Sequence, residues 1–455
     1  MPDIHPFKAL WYDPDKVRPI DTVVGQPYDK INEDLRKKYY ERSPYHVVRM
    51  TYGRPEPNDT PENNPYTRAR DYLREWLKTG VLVEHDEPTI YAYDIVYKRP
   101  DGTERKREGF VALVELSPFS EKKVLPHEET FPGPKADRLS LMRAARANFG
   151  HVFLLYEDPK KQVESILAKE KVGSPDREVR DDDGFRHRVW AVRNPKAVQA
   201  IQALLKPVPA IVADGHHRYE TAIAFRDECE KAGMRCTGNA CHHRRMATFV
   251  NSEGDLTIFP THRLIRGRLP YNIDDIEHRL GPWFEIKAFE WKKPAGEPKA
   301  RLEFEAYFKR LLGGRMSFGL ILGGANRYLT IRLKEPDRLN EFIPEAKSLP
   351  WKQLDVSILH RYVLGSLLAL DPEKLERDKR MGYARHADEV FEAIRKGEAT
   401  LGFLLHPVAM SQIRDVVMAG DRMPQKSTDF FPKALSGLVM CRYEIGEPEK
   451  PASGS

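Results

Sequence analysis

The chain has 455 residues, of which 40% are hydrophobic and 31% are charged, so it can bury the cores of two or three globular domains. A formal charge of +6 is small against 74 basic and 68 acidic side chains. No basic run exceeds a few residues, which argues against a nucleic-acid partner. No apolar run reaches the roughly 18 residues of a membrane span, and no secretory leader is evident. These features predict a cytoplasmic protein with neither a membrane nor a nucleic-acid partner.

Four cysteines in a chain of this length are too few for a disulfide framework, which agrees with a reducing compartment. Three of them, Cys229, Cys236 and Cys241, lie close to His242 and His243 in sequence. Their spacings match no familiar zinc finger or ribbon, and Cys229 falls on a predicted helix. We therefore expect incidental thiols, with structural zinc as the alternative.

Hydrophobic periodicity predicts strands and helices along the first half of the chain. Strands are predicted at residues 6–12, 23–29, 45–50, 90–97, 108–116, 151–156, 186–192, 246–251 and 256–259. Helices are predicted at residues 33–42, 69–80, 160–171 and 195–205. Residues 53–65 are predicted to form a mobile loop, and the turn at 100–102 predicts a hairpin between its two neighbouring strands.

Beyond residue 268 amphipathic helices alternate with strands, which indicates a second domain. Helices are predicted at residues 274–280, 301–312, 356–370, 390–396 and 411–418, and strands at 318–322, 328–333, 400–405 and 437–443. The predicted division is a catalytic domain at 1–268, a C-terminal α/β domain at 269–445 and a disordered tail at 446–455.

Residues 208–226 combine a strand, a tight polar turn and a helix start. The apolar run 208–213 leads into Asp214 and Gly215, and His216, His217 and Arg218 open the predicted helix. The first N–H groups of a helix lack internal partners and lie at its positive end, so such a turn can hold a phosphate. Gly215 permits a tight turn, and Asp214 could face a metal ion or a substrate hydroxyl. The alternative is a surface turn in which Asp214 caps the helix.

Residues 125–146 form a second unusual stretch, a Pro/Gly-rich loop followed by a predicted helix. This stretch carries the polar side chains His127, Glu128, Glu129, Lys135, Asp137 and Arg138. The apolar residues Leu139, Leu141 and Met142 are predicted to face inward. Loops that present this much chemistry beside a rigid helix are often functional, and the alternative is a solvated charged loop.

A third candidate lies in the predicted loop at 421–433. Its residues Lys426, Ser427 and Thr428 could bind phosphate through an ammonium and two hydroxyls, although the glycine-rich lead of a Walker loop is absent. A capping turn is the alternative. Polar residues, including His262, also follow the end of a predicted strand near residue 260.

Six motifs are distributed over nearly the whole chain. They are Q-P-Y-D (26–29), S-P-Y-x-V-V-R (43–49), L-P-H-E-x-T-x-P-G-P-K-x-D-R-L (125–139), A-D-G-H-H-R-Y-E-T-A (213–222), P-T-H-R-L (260–264) and M-P-x-K-S-T-x-F-x-P-K (423–433). Together they resemble the domain of unknown function 1015 family. The H-E-E loop and the D-G-H-H-R turn resemble the ParB/sulfiredoxin-like superfamily, in which the free serine kinases are the closest chemical relatives by motif.

This resemblance implies an α/β fold (an α+β mixed sheet), with a ParB/sulfiredoxin-like core, large insertions and a second C-terminal α/β domain. It also implies that Glu128 is the base and that the D-G-H-H-R turn holds the phosphoryl donor. The predicted catalytic residues are Glu128, Asp214 and His216. The predicted phosphate-binding residues are Gly215, His216, His217, Arg218, Lys135, Lys426, Ser427 and Thr428. Mg²⁺ is the predicted cofactor, with Asp214 as its ligand.

Phosphoryl transfer is consistent with this set, because it requires cations around the donor and a base within reach of the attacking hydroxyl. An amino-acid acceptor also needs partners for its carboxylate and its amine. The candidates for that role are Arg49, Asp137, Arg138 and His262.

The motifs therefore favour a phosphotransferase that acts on free L-serine or a similar small hydroxy compound, with ATP, ADP or pyrophosphate as donor. One alternative is a nucleotide or phosphoester hydrolase, in which water replaces the acceptor. Adjacent His216 and His217 cannot easily face one metal ion, which argues against catalytic zinc in such a hydrolase. The other alternative is a nucleotide-gated binding protein without enzyme activity. The expected partners are a small phosphoryl donor and a small hydroxylated acceptor.

Overall fold

The computed structural model of the protein describes residues 3–99, 101–130, 133–313 and 316–447. This part of the chain forms two compact units. Unit 1 comprises residues 3–126, 130–257 and 432–447, and unit 2 comprises residues 127–129 and 258–431. The predicted division differs in two respects, because unit 2 begins at Ile258 and because the chain returns to unit 1 at Pro432.

The strands of the described residues are mostly short. They are β1 (Ile4–His5), β2 (Leu10–Tyr12), β3 (Leu82–Glu84), β4 (Tyr91–Lys98), β5 (Glu104–Glu115), β6 (Val124–Pro126), β7 (Ala147–Asn148), β8 (Val152–Tyr156), β9 (Arg177–Arg180), β10 (Arg186–Ala191), β11 (Ala210–Asp214), β12 (Arg235–Cys236), β13 (Arg244–Asn251), β14 (Thr257–Phe259), β15 (His262–Ile265), β16 (Phe284–Glu290), β17 (Ser317–Leu322), β18 (Arg327–Leu333), β19 (Met381–Ala384), β20 (Leu401–Leu404), β21 (Asp429–Phe431), β22 (Cys441–Arg442) and β23 (Ile445–Gly446).

The α-helices lie between these strands. They are α1 (Glu33–Arg42), α2 (Val48–Thr51), α3 (Pro65–Lys78), α4 (Gly133–Ala145), α5 (Gln162–Glu170), α6 (Pro195–Leu205), α7 (His216–Lys231), α8 (Ile273–Leu280), α9 (Glu297–Arg310), α10 (Leu339–Phe342), α11 (Leu349–Lys352), α12 (Asp355–Ser357), α13 (Pro372–Arg377), α14 (Ala387–Arg395) and α15 (Met410–Met418). A π-helix, Ile358–Leu367, follows α12.

Unit 1 is built on a mixed sheet of nine strands in the order β6-β11-β8-β13-β5-β4-β10-β9, with β1 also paired to β5. The pairs β6–β11 and β8–β13 are parallel, whereas β11 pairs with β8 in the antiparallel direction. Two bulky residues of β5, Phe110 and Val111, point to opposite faces and are both fully buried. Both faces of the sheet are therefore covered, which explains the continuous apolar runs of its central strands.

One face of this sheet packs against α5, α6 and α7. Ile201 of α6 and Ala222 of α7 are completely buried against Leu154 and Val212 of the sheet. The helix Pro195–Leu205 begins with Asn194, whose side chain accepts a hydrogen bond from the Lys196 N–H, an arrangement that stabilises a helix start. These helices fix the end of β11 at which the D-G-H-H-R motif begins.

Unit 2 contains an antiparallel sheet of six strands in the order β16-β18-β17-β20-β15-β19. Helices α9 and α14 cover it through Phe304 and Phe391, whose ring centroids lie 6.1 Å apart. The predicted α/β class is thus confirmed, with a large mixed sheet and a second sheet. No helix of the described residues is both long and apolar enough to cross a membrane.

Several predicted elements are correct and two predicted strands are wrong. The predicted strand at 45–50 is instead helical at α2, because Val47, Val48 and Met50 are all buried and do not alternate between two faces. The predicted strand at 23–29 is irregular, with a 3₁₀ turn at Tyr28–Lys30. The hairpin of β4 and β5 is confirmed, although residue 100 of its turn lies outside the described residues.

The last predicted elements are shorter than expected. The predicted strand at 437–443 is ordered as a strand only at Cys441–Arg442. Of the predicted disordered tail at 446–455, residues 448–455 lie outside the described residues. Its first residue belongs to β23, which pairs with β12.

The expectation of incidental thiols is wrong for two of the four cysteines. Cys236 and Cys241 form a disulfide, because the turn between them brings their Cα atoms to 5.4 Å. Cys229 and Cys441 are free and buried. The ligand atoms of Cys236, Cys241 and His242 lie within 4.8 Å of one another. The zinc alternative would require reduced thiolates, which the disulfide excludes in this state.

Candidate active site

The D-G-H-H-R motif is a strand–turn–helix junction, as the sequence predicts. β11 ends at Asp214, with an irregularity in its pairing to β8 just before that residue. Gly215 follows with a φ of 89°, and α7 begins at His216. The N-cap residue of α7 is Gly215, so Asp214 does not occupy the capping position. The junction therefore places a carboxylate and a helix N-terminus side by side.

Gly215 is required here for two reasons. Its positive φ of 89° is a conformation that residues with a side chain rarely adopt. A Cβ atom at this position would also lie 3.0 Å from Nε and 3.1 Å from Cζ of Arg218. The missing side chain thus leaves room for the Arg218 guanidinium to fold back over the turn.

Asp214 is held between two cations. Lys433 Nζ lies 2.8 Å from Asp214 Oδ1, and an Nη2 hydrogen of Arg218 is donated to Oδ2. The other terminal nitrogen of Arg218 donates to the backbone oxygen of His151. Burial would raise the pKa of Asp214, but Lys433 and Arg218 outweigh it and hold that pKa well below its usual range. Asp214 is therefore an ionised carboxylate.

This environment does not fit the predicted metal ion. Both Asp214 oxygens already have cationic partners, and a Mg²⁺ ion would have to displace Lys433 or Arg218 and would be repelled by the other. The geometry therefore does not support Asp214 as a metal ligand. The carboxylate instead orients two cations beside the helix N-terminus.

The two histidines of the motif form the first turn of α7. His216 is buried and His217 is partly exposed. Because they occupy the first two helical positions, their backbone N–H groups have no acceptor within the helix. Their predicted phosphate role stays a prediction, and their position at the helix start agrees with it.

Residues 127–129 of the H-E-E loop belong to unit 2. There the turn at residues 426–428, which we call the K-S-T turn, binds Glu128. Glu128 Oε1 accepts hydrogen bonds from the Ser427 N–H at 3.1 Å, from the Thr428 N–H at 2.9 Å and from the Thr428 hydroxyl at 3.0 Å. His127 Nε2 contacts the same hydroxyl at 2.8 Å. Lys426 has a positive φ of 56°, which turns the backbone so that consecutive N–H groups converge.

The sequence did not predict that Glu128 is the partner of the K-S-T turn. Ser427 and Thr428 bind a carboxylate of the protein itself, and the Ser427 hydroxyl donates to Pro424 O at 2.5 Å. Three donors to one oxygen fix the orientation of the Glu128 carboxylate. The phosphate roles of Lys426, Ser427 and Thr428 stay predictions, without support from this geometry.

The remaining predicted residues have mixed environments. Lys135 forms an ion pair with Glu220 at 2.5 Å. Arg49 lies over the Tyr40 ring, 4.3 Å from its centroid. His262 is in the core of unit 2, where its Nδ1 accepts the Leu405 N–H at 3.1 Å. Burial lowers the pKa of His262 to about 3, so this residue is a neutral core histidine rather than a substrate ligand.

Arg138 lines a cavity of unit 1 and is paired with Asp137. Arg138 Nε donates to Asp137 Oδ2 at 2.7 Å, and Asp137 Oδ1 accepts from the Tyr66 hydroxyl at 2.8 Å. The Arg138 guanidinium lies 4.0 Å from the centroid of the Tyr28 ring. The cavity has a volume of about 50 Å³.

Sequence reasoning missed two cations of this region. Lys433 lies within the last of the six motifs, but nothing in its surroundings pointed to Asp214. Arg245 lines the same cavity as Arg138 and is only 5% exposed. Arg245 adjoins Arg244 at the start of β13, before the apolar part of that strand, so the sequence did not mark it as a buried residue.

Comparison with known proteins gives one clear result. The family described as "Protein of unknown function (DUF1015)" matches residues 4–357 of the chain. The chain belongs to the DUF1015 family. No curated protein matches it. The resemblance expected from the six motifs is thus confirmed.

This DUF1015 protein is also similar to solved structures, at low identity. A conserved hypothetical protein from Pyrococcus furiosus is 13% identical with a TM-score of 0.32, over 70% of this chain and 90% of that one. A free serine kinase in complex with AMP is 12% identical with a TM-score of 0.33, over 74% and 91%. SbnI from Staphylococcus aureus, with a C-terminal truncation, is 13% identical with a TM-score of 0.35, over 72% and 86%. Likenesses this weak carry no argument about the present site.

Proposed function

We propose that this DUF1015 protein is a phosphotransferase that moves a phosphoryl group onto the hydroxyl of a small metabolite. The observation that supports this most is the charge at the D-G-H-H-R turn. Lys433 and Arg218 both contact Asp214, and these two cations lie beside the N-terminus of a sixteen-residue helix. A phosphate there would be stabilised both by the cations and by the helix dipole.

The phosphoryl donor would be bound by backbone N–H groups of His216 and His217 and by the Lys433 ammonium. Phosphoryl transfer depends mainly on positioning and on neutralising the charge of the donor oxygens. In the proposed step the acceptor hydroxyl oxygen bonds to phosphorus and the bond from phosphorus to the leaving oxygen breaks. The leaving group departs as a nucleotide or as phosphate.

Glu128 is the proposed acceptor of the hydroxyl proton. Its carboxylate is oriented by the N–H groups of Ser427 and Thr428, and a base must be positioned before the reaction begins. The motifs that resemble those of free serine kinases make free L-serine the first acceptor to test. ATP, ADP and pyrophosphate are the donors to compare.

The direct experiment is product analysis. Purified protein is incubated with L-serine and each donor, with and without Mg²⁺, and O-phosphoserine is measured by mass spectrometry. We expect phosphoserine with at least one donor. If no phosphoserine forms from serine and no phosphoryl group returns from phosphoserine to ADP, AMP or phosphate, the kinase proposal is wrong. Release of phosphate without phosphoserine would instead identify a hydrolase.

A further inference from the structure

The cavity of unit 1 is unusual in its charge. It has a volume of about 50 Å³, which is room for roughly three to five water molecules and so for a group of carboxylate size. Its polar lining consists of Tyr28, Thr51, Arg138, Arg218, Arg245 and Ser436. Among the described residues that line it, none is Asp or Glu.

Arg245 is the guanidinium without a counter-charge. It is 5% exposed, and its Nη2 donates to the Gly150 backbone oxygen at 3.1 Å. Its Nε has no hydrogen-bond partner, and no carboxylate of the described residues forms an ion pair with it. Burial lowers the pKa of Arg245, and the positive charge of Arg218 lowers it further. A buried, unpaired cation is costly unless an anion accompanies it.

The other two arginines of the cavity are already balanced. Arg138 pairs with Asp137, and Arg218 pairs with Asp214. Arg245 is therefore the arginine of the cavity that has no carboxylate partner among the described residues. A carboxylate bound in the cavity would supply the negative charge that Arg245 lacks.

We propose that this cavity binds the carboxylate of the acceptor substrate, with Arg245 as the residue that neutralises it. This assignment rests on the proposed function. A guanidinium is planar and matches the two oxygens of a carboxylate. The hydroxyls of Ser436 and Tyr28 provide further donors along the cavity wall, whereas the Thr51 hydroxyl donates to the Val47 backbone oxygen.

Arg218 links the cavity to the D-G-H-H-R turn. Its guanidinium lies against Gly215 of the turn and also lines the cavity. An acceptor whose carboxylate contacts Arg245 would therefore reach toward the donor site from the other side of Arg218. A cavity of about 50 Å³ suits the carboxylate end of a small amino acid or hydroxy acid.

The test compares Arg245→Met with Arg244→Met. Arg244 is the matched control because it directly precedes Arg245 in the same strand and does not line the cavity. Its guanidinium instead donates to Asn239 O. Unfolding temperatures are measured with L-serine, with inorganic phosphate and with serinol, which replaces the carboxylate of serine by an alcohol. We expect L-serine, and not serinol, to stabilise the wild type and Arg244→Met. Arg245→Met should lose that stabilisation while remaining as stable as the wild type without ligand.

Kinetics provide the second readout. Arg245→Met should raise the KM for L-serine by roughly 100-fold, with little change in the low activity toward serinol. Arg245→Lys keeps the charge without the planar contact and should be intermediate. If Arg245→Met does not fold, the lysine variant alone decides the question.

The outcomes separate the two proposals. Arg245-dependent stabilisation by L-serine without any phosphoserine formation would overturn the kinase activity and leave the carboxylate site standing. Phosphoserine formation with an unchanged KM in both Arg245 variants would overturn the carboxylate site alone. Stabilisation by phosphate that depends on Arg245, with none by L-serine, would show that the cavity binds phosphate and would also overturn the assignment.

Discussion

Lys433 Nζ lies 2.8 Å from Asp214 Oδ1, although 219 positions of sequence separate the two residues. Both side chains are largely shielded from solvent, with 8% and 18% exposure. The ion pair keeps Asp214 charged and positions an ammonium at the helix start that is proposed to hold the donor. It is therefore the contact whose removal should change both stability and function.

Replacing Lys433 by Met should destabilise the protein by about 2 kcal/mol or more, because the buried Asp214 carboxylate loses one of the two cations that contact it. Donor affinity should fall as well. The measurements are urea unfolding at pH 7 and donor titration by calorimetry. Arg143→Met is the control, since its pair with Glu228 is exposed and should contribute little. Equal effects of the two substitutions would contradict the role of Lys433.

The same variant should change the acid sensitivity of the protein. The pKa of Asp214 is lowered in the folded state, so its contribution to stability is present above the unfolded pKa of about 3.9 and is lost as pH falls below it. In Lys433→Met one of the cations that lower the pKa of Asp214 is missing, so that pKa is lowered less. The stability difference between wild type and variant should therefore narrow between pH 5 and pH 2 in thermal unfolding.

Replacing Gly215 by Ala should lower the free energy of unfolding by more than the backbone strain alone would. Gly420 is the matched control, because its φ is 85° and a Cβ there would meet nothing within 4 Å, whereas at Gly215 it would meet Arg218. We expect Gly420→Ala to cost about 1 kcal/mol, and Gly215→Ala to cost more and to weaken donor binding. If the two variants have the same stability and the same donor affinity, Arg218 does not depend on the missing side chain.

Replacing Glu128 by Gln should reduce turnover by at least roughly 100-fold and spare donor binding, because the amide cannot take up the hydroxyl proton. The neighbouring Glu129→Gln provides the control. The measurement is initial-rate kinetics together with donor titration. Normal turnover of Glu128→Gln would show that another group is the base.

Three buried histidines should make the protein less stable in mild acid. Burial lowers the pKa of His46 to about 3, of His151 to about 4 and of His262 to about 3. The unfolded chain takes up these protons near pH 6.5 and the folded chain does not, so stability is complete above that pH and falls as pH decreases toward 4. Each histidine should contribute on the order of 1 kcal/mol or more. The exposed His278 provides a control in the variant His278→Asn, which should leave the pH dependence unchanged.

The sequence predicted those parts of the site whose conformation depends on residues that are adjacent in the chain. An apolar run followed by Asp214 and Gly215 predicted the junction of β11 and α7 because strand end, turn and helix start each have their own residue preferences. The helices at 33–42 and 195–205 were predicted with the bounds that the structure has. The capping residue of each helix directly precedes it, and the spacing of its apolar residues can be read from the helix itself.

Contacts between distant segments could not be predicted from one sequence. Lys433 and Asp214 meet only through the return of the last segment to unit 1, and the Glu128 carboxylate meets Thr428 across 300 positions. The environment of Arg245 depends in the same way on Gly150 and Arg218. The spacing of residues along the chain contains no information about such neighbours, so the sequence identified candidate groups but not the charges that balance them.

The late position of Lys433 has a consequence for biosynthesis. A ribosome adds residues one by one, so Asp214 and Arg218 are made long before the segment 432–447 that completes unit 1. Until that segment leaves the exit tunnel, the nascent chain lacks the Lys433 ammonium at the turn, and β7 lacks its partner β22. The anion site that we propose at this turn can therefore form only after residues 432–447 have been synthesised.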